Sequence, residues 1–320
     1  MLIRTLRRSD TPQLLDLWQR RWGRLFSLDE ALWNQQTLGD PEHSRPDLSS
    51  VLEDETGPVA FVGVKPPPPV PAWPKQDPQK AWISYVLVEP GREGEGQRLL
   101  EHTLSALRAL GYTRVAYGSD PAHFFPGVPL EDAELERLLL DAGFEPGSVV
   151  QDFHRSLASY TIPEKARSDL EHSGLEIVPC GVDEVPGLLR FLGETFPGRW
   201  YYDTVRRLAL EDHPSHVLIL RSQSEVLGFC QLYPTASRRI GPGLYWLRGI
   251  SSHPSGLGPI GISQKVRGMG LGMALLAYGV GQLKDRGAEE TVIDWTVLAE
   301  FYGRLGFRPW RSYRILTRVL

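Results

Sequence analysis

The order of apolar and polar residues predicts short strands and amphipathic helices that recur in the same order twice. In the first half, the β-branched and aromatic runs 59–64 and 82–88 are typical of strands. The leucines between positions 99 and 110 follow helical spacing, and Gly111 is a suitable residue to end that helix. The second half repeats this order, with strands predicted at 217–220, 226–232 and 257–263 and a helix at 270–286. These patterns predict an α+β fold with a mostly antiparallel sheet.

Two pairs of similar segments indicate an internal repeat. The segment GEGQRLL at 94–100 resembles GLGMALL at 270–276, and DAGF at 141–144 resembles RLGF at 304–307. Each half predicts the element order β-α-α-β-β-β-α-β-α-β-β. We therefore predict two tandem domains, 1–157 and 174–320, joined by a polar linker at 158–173. The proline-rich stretch 66–74 is predicted to be a loop, because proline cannot pair in the middle of a sheet.

A glycine-rich turn carries the strongest chemical signal. Arg267-Gly268-Met269-Gly270-Leu271-Gly272 lies between a predicted strand and a predicted helix. Glycines at alternate positions leave backbone N–H groups exposed at the positive end of the helix dipole, where a pyrophosphate can bind. The turn is not a dinucleotide fingerprint, since the third glycine would fall on Met273 or Leu275, and no G-K-[ST] follows. The turn predicts a phosphate-bearing cofactor held by backbone groups.

Composition narrows the class of protein. The chain has 320 residues and a net charge of −4, which argues against a nucleic-acid partner. No apolar run reaches the roughly 18 residues of a membrane span, and the N-terminus lacks the features of a signal peptide. Cys180 and Cys230 lie in apolar strand-like segments, so we expect reduced, buried thiols. Without a Cys/His cluster we predict no metal, and we expect a cytoplasmic protein.

The glycine turn and its surroundings resemble the R-x-x-G-x-G motif of the GNAT superfamily of acyl-CoA N-acyltransferases. The similar segment runs from Ile262 to Leu276, with Gln264 in place of the usual proline. The family's closing Y-x-x-x-G-F is matched at 302–307. Position 295, where many members have an asparagine that binds pantetheine, is a tryptophan. The resemblance covers both halves and implies a tandem N-acetyltransferase that transfers acetyl from acetyl-CoA directly to a small-molecule primary amine.

The resemblance also implies roles for individual residues. Tyr302 would be the acid that protonates the departing thiolate, and the N–H near Ile262 would polarise the thioester carbonyl. The base is less defined: Asp294 alternates with its neighbours on the fifth strand, His253 precedes the fourth strand, and a bound water is a third option. The cofactor residues in the second half are Ile260, Ile262, Arg267, Gly268, Met269, Gly270, Leu271, Gly272 and Met273.

The first half matches the motif less well. The segment from Pro90 to Gly96 is two residues shorter than the corresponding segment of the second half. Glu93 and Glu95 place negative charge beside the expected phosphate site. Leu139 stands where the catalytic tyrosine would be. We therefore predict a degenerate copy that does not catalyse. Its candidate second CoA site consists of Val88, Arg92, Gly94, Gly96 and Gln97.

On the acceptor side, Arg199, Trp200 and Tyr201 are the candidate substrate-binding residues, together with Tyr245 and Trp246 if the fold brings them close. Aromatic faces and an arginine suit a sugar-like or ring-bearing amine or an anionic substrate, although the aromatics could equally build the core. The aromatic turn at 123–129 is expected to pack between the halves. A monomer or homodimer is expected. Two alternatives remain, a non-catalytic acyl-CoA-binding sensor and a protein N-acetyltransferase, which would need an open groove.

Overall fold

A computed structural model describes residues 1–40, 43, 45–68, 77–210 and 213–320. Part of the predicted proline-rich loop, 69–74, lies outside these residues. The strands are β1 (Leu2–Thr5), β2 (Ser50–Asp54), β3 (Gly57–Lys65), β4 (Lys80–Val88), β5 (Arg114–Tyr117), β6 (Val128–Pro129), β7 (Glu145–Ser156), β8 (Glu176–Pro179), β9 (Val217–Arg221), β10 (Val226–Tyr233), β11 (Pro254–Ile262), β12 (Glu290–Thr296) and β13 (Arg308–Val319). The helices are α1 (Thr11–Trp22), α2 (Glu30–Gln36), α3 (Glu93–Ala109), α4 (Ala133–Asp141), α5 (Glu164–Ser173), α6 (Val185–Thr195), α7 (Arg199–Leu210), α8 (Leu271–Asp285) and α9 (Ala299–Gly303).

The chain forms two compact units whose limits differ from the predicted domain boundaries. Unit 1 contains the described residues of 1–68 and 77–151 together with Arg311–Leu320, and unit 2 contains Asp152–Trp310. The end of the chain therefore belongs to unit 1, and β7 contributes its first part to unit 1 and its last part to unit 2. The predicted linker at 158–173 contains α5, whose residues Ala166 and Leu170 are buried against α8. The predicted linker is thus part of the second unit.

Unit 1 is a mixed sheet in the order β1-β2-β3-β4-β5-β13-β7. The pair β4 and β5 is parallel, whereas the pairs among β1 to β4 and the pair β5 and β13 are antiparallel. Its core contains a group of aromatic rings, with Phe125 lying 5.1 Å from Phe26 and 6.4 Å from Tyr313. Phe124 and Phe125 come from the turn at 123–129 and are fully buried. This turn packs within unit 1, where the sequence had predicted packing between the halves.

Unit 2 is a sheet in the order β7-β12-β11-β10-β9-β8, with β11 and β12 parallel. Alternate residues of β9 face opposite sides: Leu218 and Leu220 join the apolar cluster under α8, and Val217 and Ile219 join the cluster under α6 and α7. We call these two sides the α8 face and the α7 face. A helix-covered sheet of this kind confirms the predicted α+β class in both units.

Each copy ends differently from the predicted element order. The sequence predicts two strands after the last helix, whereas the structure has one twelve-residue strand, β7 in the first copy and β13 in the second. No glycine or asparagine occurs within β13 to turn the chain. Cys180 and Cys230 are buried and free, as predicted. The described residues include no helix with the length and apolar content needed to cross a membrane.

Replacement of Tyr313 tests the assignment of the C-terminal strand to the unit 1 core. Tyr313→Ala should lower the free energy of unfolding by about 3–5 kcal/mol, because the fully buried ring leaves a cavity among aromatic neighbours. Urea titration followed by circular dichroism measures this change. Val319→Ala, at an exposed position of the same strand, should change stability by no more than about 0.5 kcal/mol. Equal effects of the two variants would contradict the assignment.

Candidate active site

The central feature of unit 2 is a gap between two parallel strands. β11 and β12 pair only from Pro254 opposite Glu290 to Gly256 opposite Val292, while β11 continues to Ile262. On its other edge β11 stays paired with β10, with a register shift between Cys230 and Leu232 that places one extra residue in β11. Beyond Gly256 the two parallel strands therefore separate.

Backbone N–H groups of β11 face this gap. The N–H of Ser263 donates to the carbonyl of Leu227 at 2.7 Å, which sets the alternation of the antiparallel ladder with β10. In an antiparallel ladder, the N–H groups of successive residues point to opposite edges of the strand. The N–H groups of Ile260 and Ile262 therefore point away from β10. Two donors consequently point to the edge of β11 that is no longer paired with β12. This arrangement suits a carbonyl oxygen that develops negative charge.

The glycine turn follows directly after this segment. Gly268 and Gly270 adopt left-handed backbone conformations, with φ of +81° and +75°, and α8 begins at Leu271. The side chains of Arg267 and Met269 are exposed. The first N–H groups of α8 thus point toward an open loop at the positive end of the helix dipole. This is the geometry that the glycine pattern predicts for an anion site.

Helix α5 approaches the same turn from the side. Gly270 has a φ of +75°, which favours glycine, and an ideal Cβ there would lie 2.1 Å from the Asp169 Oδ2 atom, so that a larger residue would also displace the Asp169 side chain. Asp169 is paired with Lys165, whose Nζ lies 2.8 Å from its Oδ1 atom. The positive charge of Lys165 partly offsets a carboxylate that would otherwise oppose a phosphate at this loop.

Tyr302 lies in α9 on the α8 face. Its side chain is 6% exposed, it is hydrogen-bonded to the Thr296 side chain, and its ring lies 6.3 Å from that of Phe153. Burial raises the pKa of Tyr302 well above its ordinary value of 10.0, and Cys230 and Asp294 add to the effect. The phenol therefore stays protonated at neutral pH, as a proton donor must.

The two candidate bases occupy different ends of the sheet. Asp294 lies two residues beyond the last paired residue of β12, on the opposite side from Ile293, which joins the α8-face cluster. Asp294 is therefore on the α7 face and beside the gap. His253 precedes β11 at its paired end, about 23 Å along the strand from Ile260, and is exposed next to Glu289. The structure places His253 away from the gap.

The candidate acceptor residues at the start of α7 divide into two groups. The Arg199 guanidinium stacks on the indole of Trp295 at 4.6 Å and pairs with Asp203 at 3.5 Å. Trp200 and Tyr201 instead pack against the α7-face cluster, with the Trp200 ring 4.8 Å from that of Phe196. The sequence did not predict that Trp295 lies next to Arg199. The one sign of a special role for Trp295 was that many GNAT members have an asparagine at position 295.

Buried polar contacts hold α7 on the sheet. Arg207, which is 5% exposed, donates to the carbonyl of Leu232 at 2.5 Å and stacks on Tyr233 at 4.0 Å. Gln231 donates to the Thr204 hydroxyl at 2.7 Å. Because Gln231 lies at the register shift of β10, the helix that begins with Arg199 is fixed beside the irregular part of the sheet.

The insertion between β10 and β11 covers the start of the gap. A Cβ on Gly243 would lie 2.8 Å from the Gly256 Cα and 2.9 Å from the Val292 carbonyl oxygen, the last paired residues of the two strands. Tyr245 and Trp246 are 2% and 4% exposed, with ring centroids 6.0 Å apart. These two aromatics serve packing of the insertion rather than forming an open pocket wall.

The corresponding loop of unit 1 is filled by its own carboxylates. It spans only 89–92, against 263–270 in unit 2. The Glu93 carboxylate accepts the Gly91 N–H at 3.0 Å, and Arg92 is paired with Glu95 at 2.8 Å and with Asp54 at 3.2 Å. One backbone N–H of this loop and its arginine are thus engaged by acidic side chains.

The other candidate CoA residues of unit 1 serve packing or lie on the surface. A Cβ on Gly96 would lie 2.5 Å from Val88, whereas Gly94 faces open space. Gln97 is paired with Glu101 at 3.1 Å. Leu139, at the tyrosine position, is fully buried in the core.

An N–H donor near Ile262, followed by a glycine turn and a helix, is the arrangement that the family resemblance implies. Residues 185–307 match the sequence profile of the Acetyltransferase (GNAT) family. This segment is a GNAT domain. The matched residues lie entirely within unit 2 and include the gap, the glycine turn and Tyr302.

Solved structures show that the GNAT fold extends over the whole chain. A fungal multi-domain GH3 β-N-acetylglucosaminidase with a GCN5-related glucosamine N-acetyltransferase region superposes with a TM-score of 0.88 at 23% identity, covering 99% of this chain and 38% of that protein. A GCN5-related N-acetyltransferase from Sphaerobacter thermophilus gives 0.66 at 17% identity, covering 99% and 95%. A tandem GNAT protein of the clavulanic acid biosynthesis pathway gives 0.62 at 15%, covering 99% and 98%. No curated protein matches the sequence.

These structures confirm the predicted tandem GNAT arrangement. The chain spans less than two fifths of the fungal protein, so the likeness concerns one region of that longer molecule. At these identities the likeness establishes the fold.

Calorimetric titration with acetyl-CoA tests which of the two glycine loops holds the cofactor. Gly272→Glu should abolish calorimetric binding of acetyl-CoA, because it places a carboxylate in the first turn of α8, where the pyrophosphate is expected. The substitution leaves packing intact, since a Cβ there has only one ordinary contact, with Ile262 at 3.6 Å. The control is Gly94→Glu, in the first turn of α3 with open space around it, which should bind one equivalent like the wild type. Loss of binding in Gly94→Glu alone would move the cofactor site to unit 1.

Proposed function

We propose that the chain is an acetyl-CoA-dependent N-acetyltransferase whose reaction takes place in unit 2 on a primary amine of a small molecule. The observation that carries this proposal is the gap beside β11. The N–H groups of Ile260 and Ile262 face it, and the glycine turn at 267–272 follows on the same strand. A thioester carbonyl and a pyrophosphate of one ligand therefore find their donors along one continuous segment.

The side chains around the gap account for both proton transfers. The amine must lose a proton before its nitrogen attacks the thioester carbon, and we assign its acceptance to Asp294, on the α7 face, directly or through water. As the C–N bond forms and the C–S bond breaks, the phenol of Tyr302 donates its proton to the sulfur. The nitrogen then loses its second proton to water, and the Tyr302 phenolate takes up a proton from water. The products are the N-acetylated amine and the free thiol of CoA, with no covalent enzyme intermediate.

We infer that the amine is an amino sugar, with glucosamine as the first candidate. The fungal protein with the high TM-score contains a region named for glucosamine N-acetylation. On the α7 face of the present chain, an arginine, a carboxylate and an indole lie together at Arg199, Asp203 and Trp295. These groups can bind hydroxyls and the apolar side of a ring.

Unit 1 is proposed to support the fold without catalysing the reaction. Its loop is occupied by Glu93, and its core contains Leu139 at the place of the catalytic tyrosine. Catalysis and cofactor binding are therefore assigned to unit 2 alone.

The test is thiol release from acetyl-CoA in the presence of glucosamine, a polyamine or a peptide, with the product identified by mass spectrometry. We expect N-acetylglucosamine, and Tyr302→Phe should lower kcat by about 10²-fold or more without changing acetyl-CoA affinity. The conservative control is Tyr278→Phe, which alters a partly buried tyrosine packed against the same cluster and should retain wild-type kcat.

The pH profile gives a second readout of Tyr302. The protonated phenol is the active form and burial raises its pKa, so its deprotonation should cause no loss of kcat between pH 7 and about 10. A basic limb below pH 9 that disappears in Tyr302→Phe would contradict the raised pKa of Tyr302, whereas a kcat unchanged by Tyr302→Phe would contradict its role as the acid. Acetyl-CoA binding without thiol release for any amine would instead indicate a non-catalytic binder, and release only with peptides would indicate a protein N-acetyltransferase.

A further inference from the structure

Trp295 has an unusual backbone conformation for a bulky residue in a strand. Its φ of +52° lies in the left-handed region, which bulky L residues rarely adopt. It is the third residue of β12 beyond the last pair with β11, at the open part of the gap. Strained residues of this kind persist when the surrounding structure holds them in place, and they are common at functional sites.

A buried carboxylate holds this conformation. The Trp295 N–H donates to the Asp152 Oδ1 atom at 3.2 Å, and Asp152 is only 2% exposed. Asp152 lies on β7, the strand next to β12 in unit 2. The last strand of the first sequence copy thus supplies the residue that fixes the backbone of Trp295.

The conformation changes the side of the sheet on which the indole lies. Regular alternation would put Trp295 on the same side as Ile293, which packs in the α8-face cluster. Its ring instead lies 4.6 Å from the Arg199 guanidinium of α7. The indole therefore meets the helix that packs on the α7 face.

Arg199 is itself held in place by its neighbours. Its side chain is 19% exposed and that of Asp203 is 12% exposed, with 3.5 Å between the Arg199 Nε atom and the Asp203 Oδ2 atom. Withdrawal from water and the stacking on Trp295 limit the orientations of the guanidinium. The three side chains form a preset group of an aromatic surface, hydrogen-bond donors and an acceptor.

We propose that Trp295 determines acceptor specificity by selecting amines carried on a hydroxylated ring. It does so in place of the pantetheine contact that is expected at its position. An indole suits the apolar side of a pyranose, while Arg199 and Asp203 suit neighbouring hydroxyls as donor and acceptor. A polyamine has no hydroxyls to engage the arginine. Asp152 is a positioning residue that acts through Trp295. This inference rests on the proposed N-acetyltransferase function.

Trp295→Asn tests this proposal, because asparagine tolerates a left-handed backbone and is the residue that many GNAT members have at this position. We expect KM for glucosamine to rise about tenfold or more, while KM for acetyl-CoA and its calorimetric affinity stay within about twofold. The ratio of kcat/KM for glucosamine over cyclohexylamine, which lacks hydroxyls, should fall by a similar factor. Leu210→Asn, at the exposed far end of α7, is the control and should behave as wild type.

Asp152→Ala tests the positioning role with a separate variant. It should raise KM for glucosamine in the same direction as Trp295→Asn with little change in acetyl-CoA affinity, and the double variant should be no worse than the stronger single one. The inference is overturned if Trp295→Asn changes KM for acetyl-CoA and leaves KM for glucosamine unaltered. Absence of transfer to any amine by the wild type would overturn the proposed function itself, and it is seen before any variant is compared.

Discussion

The separation of β11 from β12 is the constraint on which the candidate site depends. Pairing stops at Gly256 and Val292, so the N–H groups of Ile260 and Ile262 lose the strand that would have accepted from them. Backbone donors need partners, and an open gap therefore favours a ligand that supplies acceptors. The insertion around Gly243 packs on the last paired residues, while Asp152 fixes the β12 side beyond them. The glycine turn follows β11 directly, and Trp295 lies on β12 beyond its last pair with β11, so both depend on this interruption.

The two units show how local chemistry separates two copies of one fold. In unit 1 the parallel pair β4 and β5 also ends early, but the Gly118 N–H donates to the Ile83 carbonyl at 2.8 Å. The buried Asp120, which follows β5, is paired with Lys65 at 3.1 Å. In the short loop of unit 1, Glu93 accepts the Gly91 N–H, whereas no such carboxylate contact is seen among the described residues of the glycine turn in unit 2.

The first sequence copy also contributes residues to the surroundings of the candidate site in the second copy. The end of β7, from the first sequence copy, supplies Asp152 to the backbone of Trp295 and Phe153 to the surroundings of Tyr302. Arg155 of the same strand stacks on Phe307, in the closing motif. The segment that matches the GNAT family begins only at residue 185. The β7 residues that contact the candidate site therefore lie outside the matched segment.

The sequence by itself determined the repeat, the α+β class, the glycine turn and the burial of both cysteines, because these depend on local periodicity and on residues close together in the chain. It also predicted that the loop of the first copy is unfavourable for a phosphate, since Glu93 and Glu95 lie beside it. Only the tertiary structure decided that Arg311–Leu320 completes unit 1 and that His253 is remote from the gap. Both features depend on strand pairing between segments that are far apart in the sequence. The side on which Trp295 lies was equally unreadable, because its left-handed backbone is held by Asp152, which is far away in sequence.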